Sequence, residues 1–379
     1  MEIKYPDFTN SLVNITSSIK KHFRPDLKLE YQSIKLVDDL IKDKKKVILI
    51  LLDGMGVNIL KGNLDEDSFL RSHLVGEATS VFPPTTVAAT NAILTGMLPG
   101  ENGWFGWQQY FKENNHHYVM FKNIDYYTED KLDADIKNKY VVNHQFGMDL
   151  GIKYNVLFPS VAGGNSEDFS DEVDKIIDII KEDAPSLTYA YWTNPDGLIH
   201  EYGCFNEVIK ANLLKLSADL ERLEAKMDKD SIALVIADHG LIDVSPIDLA
   251  FYDDIKKYFR VLPSLEGRSM IFFVNDKEGF KKEFNDRFSK WFDLYTTDEF
   301  LALGLVGKKT DKILPFMGDY IALAKDKYYF MYDGNLDAIE MKGHHAGITK
   351  DEMMIPIIKI GGKQWLLLLE ENSEAVEEN

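Results

Sequence analysis

Five short segments place Asp, Thr or His in patterns that suit chemistry. Asp53 ends the apolar run Val47 to Leu52 in KKVILILLDGMG. Thr85 and Thr86 follow two prolines in VFPPTT and open a segment that closes at Thr95-Gly96. Asp196 and His200 stand four apart in NPDGLIH, so one helical turn puts both side chains on the same face. Asp238 and His239 follow the apolar run VIA directly, and His344 and His345 sit side by side in GHHAG. Asp53, Asp196, Asp238, His200, His239 and one of His344/His345 make three carboxylates and three imidazoles. That set divides into two sites of mixed N/O ligands, suited to zinc or manganese. Two ions about 4 Å apart clamp the attacking and leaving oxygens of an in-line displacement.

The threonines add a nucleophile. A hydroxyl at a helix N-terminus faces unpaired N–H groups and the positive end of the dipole, which suits a phosphoryl group. Contact with a metal turns such a hydroxyl into an alkoxide nucleophile at neutral pH. Thr85 and Thr86 serve equally well as simple N-caps of a helix that Gly96 stops.

These groups need strand ends to hold them. Val47 to Leu52 reads as a buried parallel strand. Similar runs follow at 155–158, 187–192, 232–237 and 355–360, with helical patterns at 166–182 and 205–226. An amphipathic opening carries Leu12, Ile15 and Ile19 at helical spacing. Alternating apolar strands and helices predict an α/β fold with a doubly wound, mostly parallel sheet flanked by helices. In such folds sites form at the carboxyl ends of strands. Residues 245–340 differ in texture, with short strands at 269–274, 320–324 and 328–331 and a helix at 279–291. They read as an inserted mixed α+β cap, leaving 1–244 and 341–379 as the core. The tail after Leu369 is expected to be frayed and solvated.

Composition sets the outer limits. Forty-three Lys and Arg against 62 Asp and Glu give a net charge of −19, a field that repels nucleic acid and anionic membranes. No nucleic-acid polymer or membrane partner is therefore expected, and an anionic substrate needs cations in its site. One cysteine, Cys204, excludes an internal disulfide and a Cys-based zinc cluster. The opening residues lack a basic stretch followed by an apolar run, so the expected location is cytoplasmic. Oligomeric state is not legible.

In this order the residues resemble the alkaline phosphatase superfamily, and most of all its nucleotide pyrophosphatase/phosphodiesterase branch. The resemblance rests on strand-Asp53-Gly, Phe82-Pro-x-x-Thr86 with Thr95-Gly96 nine residues on, Pro195-Asp196-x-x-x-His200, Ala237-Asp238-His239-Gly240 and Gly343-x-His345. It implies an alkaline-phosphatase-like fold and a two-metal phosphoesterase, with zinc favoured and manganese or iron also compatible. It implies that Asp53, Thr86, Asp238 and His239 hold one metal and that Asp196, His200 and His345 hold the other. Thr86 takes the nucleophile's place and forms a covalent phospho-threonine.

There is one departure. Family diesterases usually carry an asparagine downstream of the nucleophile that helps hold the phosphoryl oxygens. Here Trp107 stands near that place, and Asn102 stands where a histidine is common. Asn102, Trp104 and Trp107 are therefore candidate substrate contacts, the two rings either stacking on a base or packing on the core. His22, His73, His116, His117 and His144 read as surface or structural residues.

The charge of the substrate follows from the arginines. A monoester dianion calls for a bidentate arginine, and none of Arg24, Arg71, Arg222, Arg260, Arg268 and Arg287 lies in a motif. A small phosphodiester or pyrophosphate is the expected substrate. A phosphomonoesterase, phosphonate hydrolase or phosphomutase on the same scaffold is an alternative, as is a metal-stabilised binding protein without turnover.

Overall fold

The computed structural model describes residues 1–334 and 340–361. The tail after Leu369 lies outside them. The main sheet is built from β1 (Lys46–Leu52), β2 (Leu74–Thr79), β3 (Lys153–Leu157), β4 (Ser186–Trp192), β5 (Ser231–Ile236) and β6 (Met354–Ile360). Its order is β2-β6-β5-β1-β4-β3. β3, β4, β1 and β5 run parallel, and every residue of β1 and β5 is buried, as a sheet covered on both faces requires. The run at 355–360 was expected to be parallel like the others. It is instead antiparallel to both β5 and β2. Its apolar pattern reports burial, and burial carries no information on direction.

Five helices matter for the site and its support: α1 (Leu12–Phe23), α2 (Thr86–Thr95), α3 (Phe169–Ile180), α4 (Asp196–Tyr202) and α5 (Glu207–Glu224). α1 packs on α2, and α3 packs on α5. The stripe Ile209, Leu213, Leu216, Leu220, Leu223 of α5 is buried in the same core as β1 and β5. Asp168 and Asn206 cap α3 and α5 with their side chains, which places both helix starts later than periodicity alone suggests. No helix among the described residues is long and apolar enough to cross a membrane.

A second, seven-stranded antiparallel sheet joins Phe292–Thr296, Tyr320–Ala324, Ser269–Val274, Phe259–Glu266, Gln108–Phe111, His116–Val119 and Ile124–Asp125, in that order. It draws strands from both sides of the boundary placed at residue 245. The junction is the pairing of Leu265 with Gln108, which sets the end of one strand against the loop after α2. Side chains alternate cleanly. Met270, Phe272 and Val274 pack with Phe280, Phe284 and Phe288 of the helix Lys277–Phe288, while Ile271 and Phe273 face the opposite cluster. The run at 328–331 pairs with Ser245–Asp248 in a separate two-stranded ribbon.

The core holds an acid that its neighbours compensate only in part. Glu172 lies on the buried face of α3 at 0% exposure. Burial pushes its carboxyl up to about 8, and the Ser166 hydroxyl and the Lys175 charge offset that only in part. The folded-state value is raised, so the stability tied to this proton is complete below the unfolded carboxyl's range. It is lost as pH rises through about 8. Glu172→Gln should therefore be more stable than the parent at pH 8.5, by roughly 4 kcal/mol in urea unfolding, with the difference vanishing at pH 4. Equal midpoints at pH 8.5 would show that the carboxyl stays charged in the folded protein.

Candidate active site and metal centre

Parallel registry brings the carboxyl ends of β1, β4 and β5 level. Leu52 pairs with Trp192, so the Asp53 N–H donates to the Trp192 carbonyl (2.9 Å) and the Asp196 N–H donates to the Asp53 carbonyl (3.0 Å). Beyond β5, Asp238 Oδ1 accepts from the Gly54 N–H and from the His239 N–H, each at 3.0 Å. Gly54 has φ +72°, and a Cβ there would lie 2.6 Å from Leu241 Cδ1 and 2.8 Å from Asp196 Cβ. Only glycine lets the three acidic loops approach this closely.

Asp196 starts α4, and His200 lies one turn on, with its Nε2 3.2 Å from Asp196 Oδ2. His344 ends the two-residue strand Gly343–His344, His345 follows it, and the Ala346 N–H donates to the Pro84 carbonyl (2.9 Å). That bond fixes their loop to the Pro-Pro turn before α2. Thr86 is the first residue of α2. Its Oγ1 lies 3.4 Å from both oxygens of Asp53 and 3.3 Å from His239 Nε2. The three contacts are nearly equal and long for hydrogen bonds, as for groups disposed around a common point. Thr85 does not cap the helix with its side chain; its hydroxyl donates to Glu266 Oε1 at 2.7 Å. Gly96 ends α2 in the left-handed conformation, as expected from its position.

The imidazoles share one orientation. Nδ1 of His200 meets the Gly343 carbonyl (2.8 Å), Nδ1 of His239 the Gly240 carbonyl (3.2 Å) and Nδ1 of His345 the Pro84 carbonyl (3.2 Å). A carbonyl only accepts, so each Nδ1 carries a hydrogen, and in the neutral form that a metal ligand must take the ring's lone pair lies on Nε2. Those Nε2 atoms turn towards carboxylates: His239 to Asp53 Oδ1 (3.5 Å) and Asp238 Oδ2 (3.6 Å), His345 to Asp196 Oδ1 (3.8 Å). Among the described residues, three triads offer ligand atoms within 4.8 Å of one another: Asp53, Asp238, His239; Asp196, His239, His345; and His200, His344, His345. Asp238 Oδ2 and Asp196 Oδ1 are buried without a hydrogen-bond partner.

The electrostatics agree. Burial and then the charges of Asp238 and Asp196 push the Asp53 carboxyl well above its usual range, and burial raises Asp238. Burial also works to raise Asp196, but His200 outweighs it and holds that carboxyl low. Burial works to lower His200, and Asp196 outweighs it, leaving the imidazole near 9. Burial and neighbouring imidazoles hold His344 and His345 well below the ordinary histidine value. Three buried carboxylates at this spacing stay ionised together only beside cations. The oriented lone pairs, unpartnered oxygens and mixed N/O donors fit a pair of divalent metals.

Asp53, Thr86, Asp196, His200, Asp238, His239 and His345 thus converge, with His344 beside them. The weaker substrate candidates divide. Asn102 is fully buried, donating to the Met97 carbonyl and accepting from the Trp104 N–H. Trp104 is 6% exposed and donates to the Val142 carbonyl. Trp107 is half-buried, edge-on to Phe121, with Lys122 over its ring.

Sequence reasoning missed Tyr191 and Glu266. The Tyr191 hydroxyl donates to Asp53 Oδ2, and its place one residue before the end of β4 was the available signal. Glu266 Oε1 accepts from the Trp107 N–H at 2.6 Å, and no motif marked it.

The comparisons follow the same line. The model of the family described as type I phosphodiesterase/nucleotide pyrophosphatase matches residues 47–348. No curated protein sequence is similar enough to count as a match. Among solved structures, a murine ectonucleotide pyrophosphatase/phosphodiesterase 5, an inactive threonine-to-alanine variant in complex with AMP, superposes with a TM-score of 0.64 at 17% identity. That alignment covers 84% of this chain and 88% of the other. The human counterpart gives a TM-score of 0.63 at 17% identity over 83% and 88% of the two chains. At that identity the likeness speaks for the fold alone. The family match spans every residue gathered around Thr86, so the chain belongs to the type I phosphodiesterase/nucleotide pyrophosphatase family and is a hydrolase.

Proposed function

We propose that this hydrolase cleaves phosphodiester or pyrophosphate bonds in small nucleotide-like substrates through a covalent phospho-threonine at Thr86. The observation that carries the reading is the nearly equidistant placing of Thr86 Oγ1 against Asp53 and His239 at the start of α2. First-turn N–H groups of α2 have no intrahelical acceptor and face the phosphoryl oxygens. Asp53, Asp238, His239 and Thr86 would hold one divalent cation, and Asp196, His200 and His345 the other, zinc being our assignment. When bound, such ions supply Lewis-acid stabilisation of phosphoryl charge and lower the pKa of hydroxyl and water.

The chain's own groups do the positioning. The carbonyls of Gly240, Gly343 and Pro84 fix the imidazole tautomers, and Tyr191 holds Asp53 in place. Thr86 Oγ forms a bond to phosphorus as the bond to the leaving oxygen breaks, and water then cleaves the phospho-threonine and restores the hydroxyl. AMP in the murine relative makes a nucleoside monophosphate the product to look for.

A diester is favoured over a monoester because Arg268 offers nothing to substrate. It is fully buried, paired through two nitrogens with Glu352 and donating through the third to the carbonyls of Asp326 and Tyr328. Chelator-stripped protein titrated with zinc should take up two equivalents, and Asp196→Asn and Asp238→Asn about one tight equivalent each. Two equivalents retained by both variants would place the metals elsewhere.

A further inference from the structure

A fourth carboxyl lies beside the site, hydrogen-bonded to the residue before the nucleophile. Glu266 ends the strand Phe259–Glu266, is 6% exposed, and belongs to none of the metal-ligand triads. Its Oε1 accepts from the Thr85 hydroxyl, one residue before the nucleophile, and from the Trp107 N–H. Oε2 accepts no hydrogen bond among the described residues, and no Lys, Arg or His there forms an ion pair with the side chain. Glu266 lies within electrostatic reach of His200 and Asp196. Burial pushes its carboxyl up to about 7, against the two hydrogen bonds that lower it, so it carries charge in mildly alkaline solution. The nearby guanidinium of Arg268 is engaged by Glu352. Beside the nucleophile, then, stands an acid without an ion-pair partner among the described residues, while Arg268 is engaged by Glu352.

We propose that Glu266 is a charge filter that faces the non-bridging phosphoryl oxygens, admitting monoanionic diesters and turning away dianionic monoesters and inorganic phosphate. Diesters and monoesters differ there by about one charge. Such a difference a few ångströms from a carboxylate in partly screened surroundings alters binding about 10- to 100-fold. The two hydrogen bonds to Oε1 hold the carboxyl in place, and Oε2 is the oxygen left to face the substrate. The inference rests on Thr86 as the site of phosphoryl transfer.

Glu266→Gln tests it, because the amide oxygen still accepts from Thr85 and Trp107 while the charge is gone. At pH 8 the ratio of kcat/KM for bis(p-nitrophenyl) phosphate to that for p-nitrophenyl phosphate should fall at least about 10-fold, mostly through a lower KM for the monoester. Thr85→Val removes one of the hydrogen bonds and keeps the charge, so it should slow both reactions and leave the ratio alone. Calorimetry supplies a readout independent of turnover: inorganic phosphate should bind metal-loaded Glu266→Gln about 10-fold more tightly than the parent, with diethyl phosphate unchanged. If the Gln protein does not fold, Glu266→Ala replaces it with the same expectation. An unchanged ratio together with unchanged phosphate binding would overturn the filter and leave Glu266 as a brace for the loop before α2. Absence of ester hydrolysis in the parent would count against the proposed reaction instead, and the phosphate titration would still decide the filter.

Discussion

Thr86→Ala should lower turnover of any phosphodiester substrate by on the order of 10⁴-fold while leaving the fold intact. The magnitude is that of removing a nucleophile from a preorganised site, where binding and electrostatics alone retain a small residual rate. The fold should survive because position 86 is the first residue of α2, and alanine is a better helix former than threonine. Its hydroxyl makes only long contacts, to Asp53 and His239. The unfolding midpoint should therefore move little, and a large shift in it would disqualify the kinetic comparison. Thr86→Ser keeps the oxygen and loses the methyl that restricts its rotamer, so an intermediate rate is expected. In the parent, acid quenching during turnover of a diester should trap the phosphoryl group, still carrying its retained ester, on the peptide that contains Thr86. Full activity in the alanine protein would remove Thr86 from the chemistry.

The second large effect is on stability. Arg268 and Glu352 are both fully buried, with Nε to Oε1 at 2.6 Å and Nη2 to Oε2 at 2.9 Å. Glu352 also accepts from the Gly347 N–H (2.6 Å) and the Thr349 hydroxyl (2.7 Å), so the pair ties the His345 loop to the strand end that carries Glu266. Breaking a buried pair from one side leaves an uncompensated charge and costs about 3–5 kcal/mol. Arg268→Met should lose that much in urea unfolding and bind metal more weakly, because Gly347 lies two residues from His345. The double variant Arg268→Met/Glu352→Leu should be less destabilised than either single one, since no lone charge remains. Additive losses in the double variant would mean that the two side chains act independently.

Local patterns were the legible part of the molecule. Asp53 and Asp238 were readable because each ends a fully apolar run, and a residue in that place on a parallel strand falls at the site-bearing edge. Asp196 and His200 were readable because helical spacing alone puts them together. Long-range pairing was not legible. Leu74–Thr79 has glycine, glutamate and threonine among its six residues, and only its place beside β6 makes it a strand. Nothing in Gln108–Phe111 announces that it pairs with a strand some 150 residues later, although that pairing delivers Glu266 to Trp107. Thr85 and Thr86 were equivalent as caps until the fold aimed one hydroxyl at Glu266 and the other at Asp53. His344 and His345 were separated by family spacing. The structure keeps both near the site and gives only His345 a backbone acceptor for Nδ1, while Nδ1 of His344 is buried without a partner.

The central claim is metal-dependent diester cleavage, and its most direct test is p-nitrophenol release from bis(p-nitrophenyl) phosphate and p-nitrophenyl phosphate side by side. Both should be run on metal-replete protein, on chelator-stripped protein, and on stripped protein given back zinc or manganese. The account predicts a clear preference for the diester, lost on chelation and regained with metal. A preference for the monoester, or hydrolysis indifferent to chelation, would contradict it.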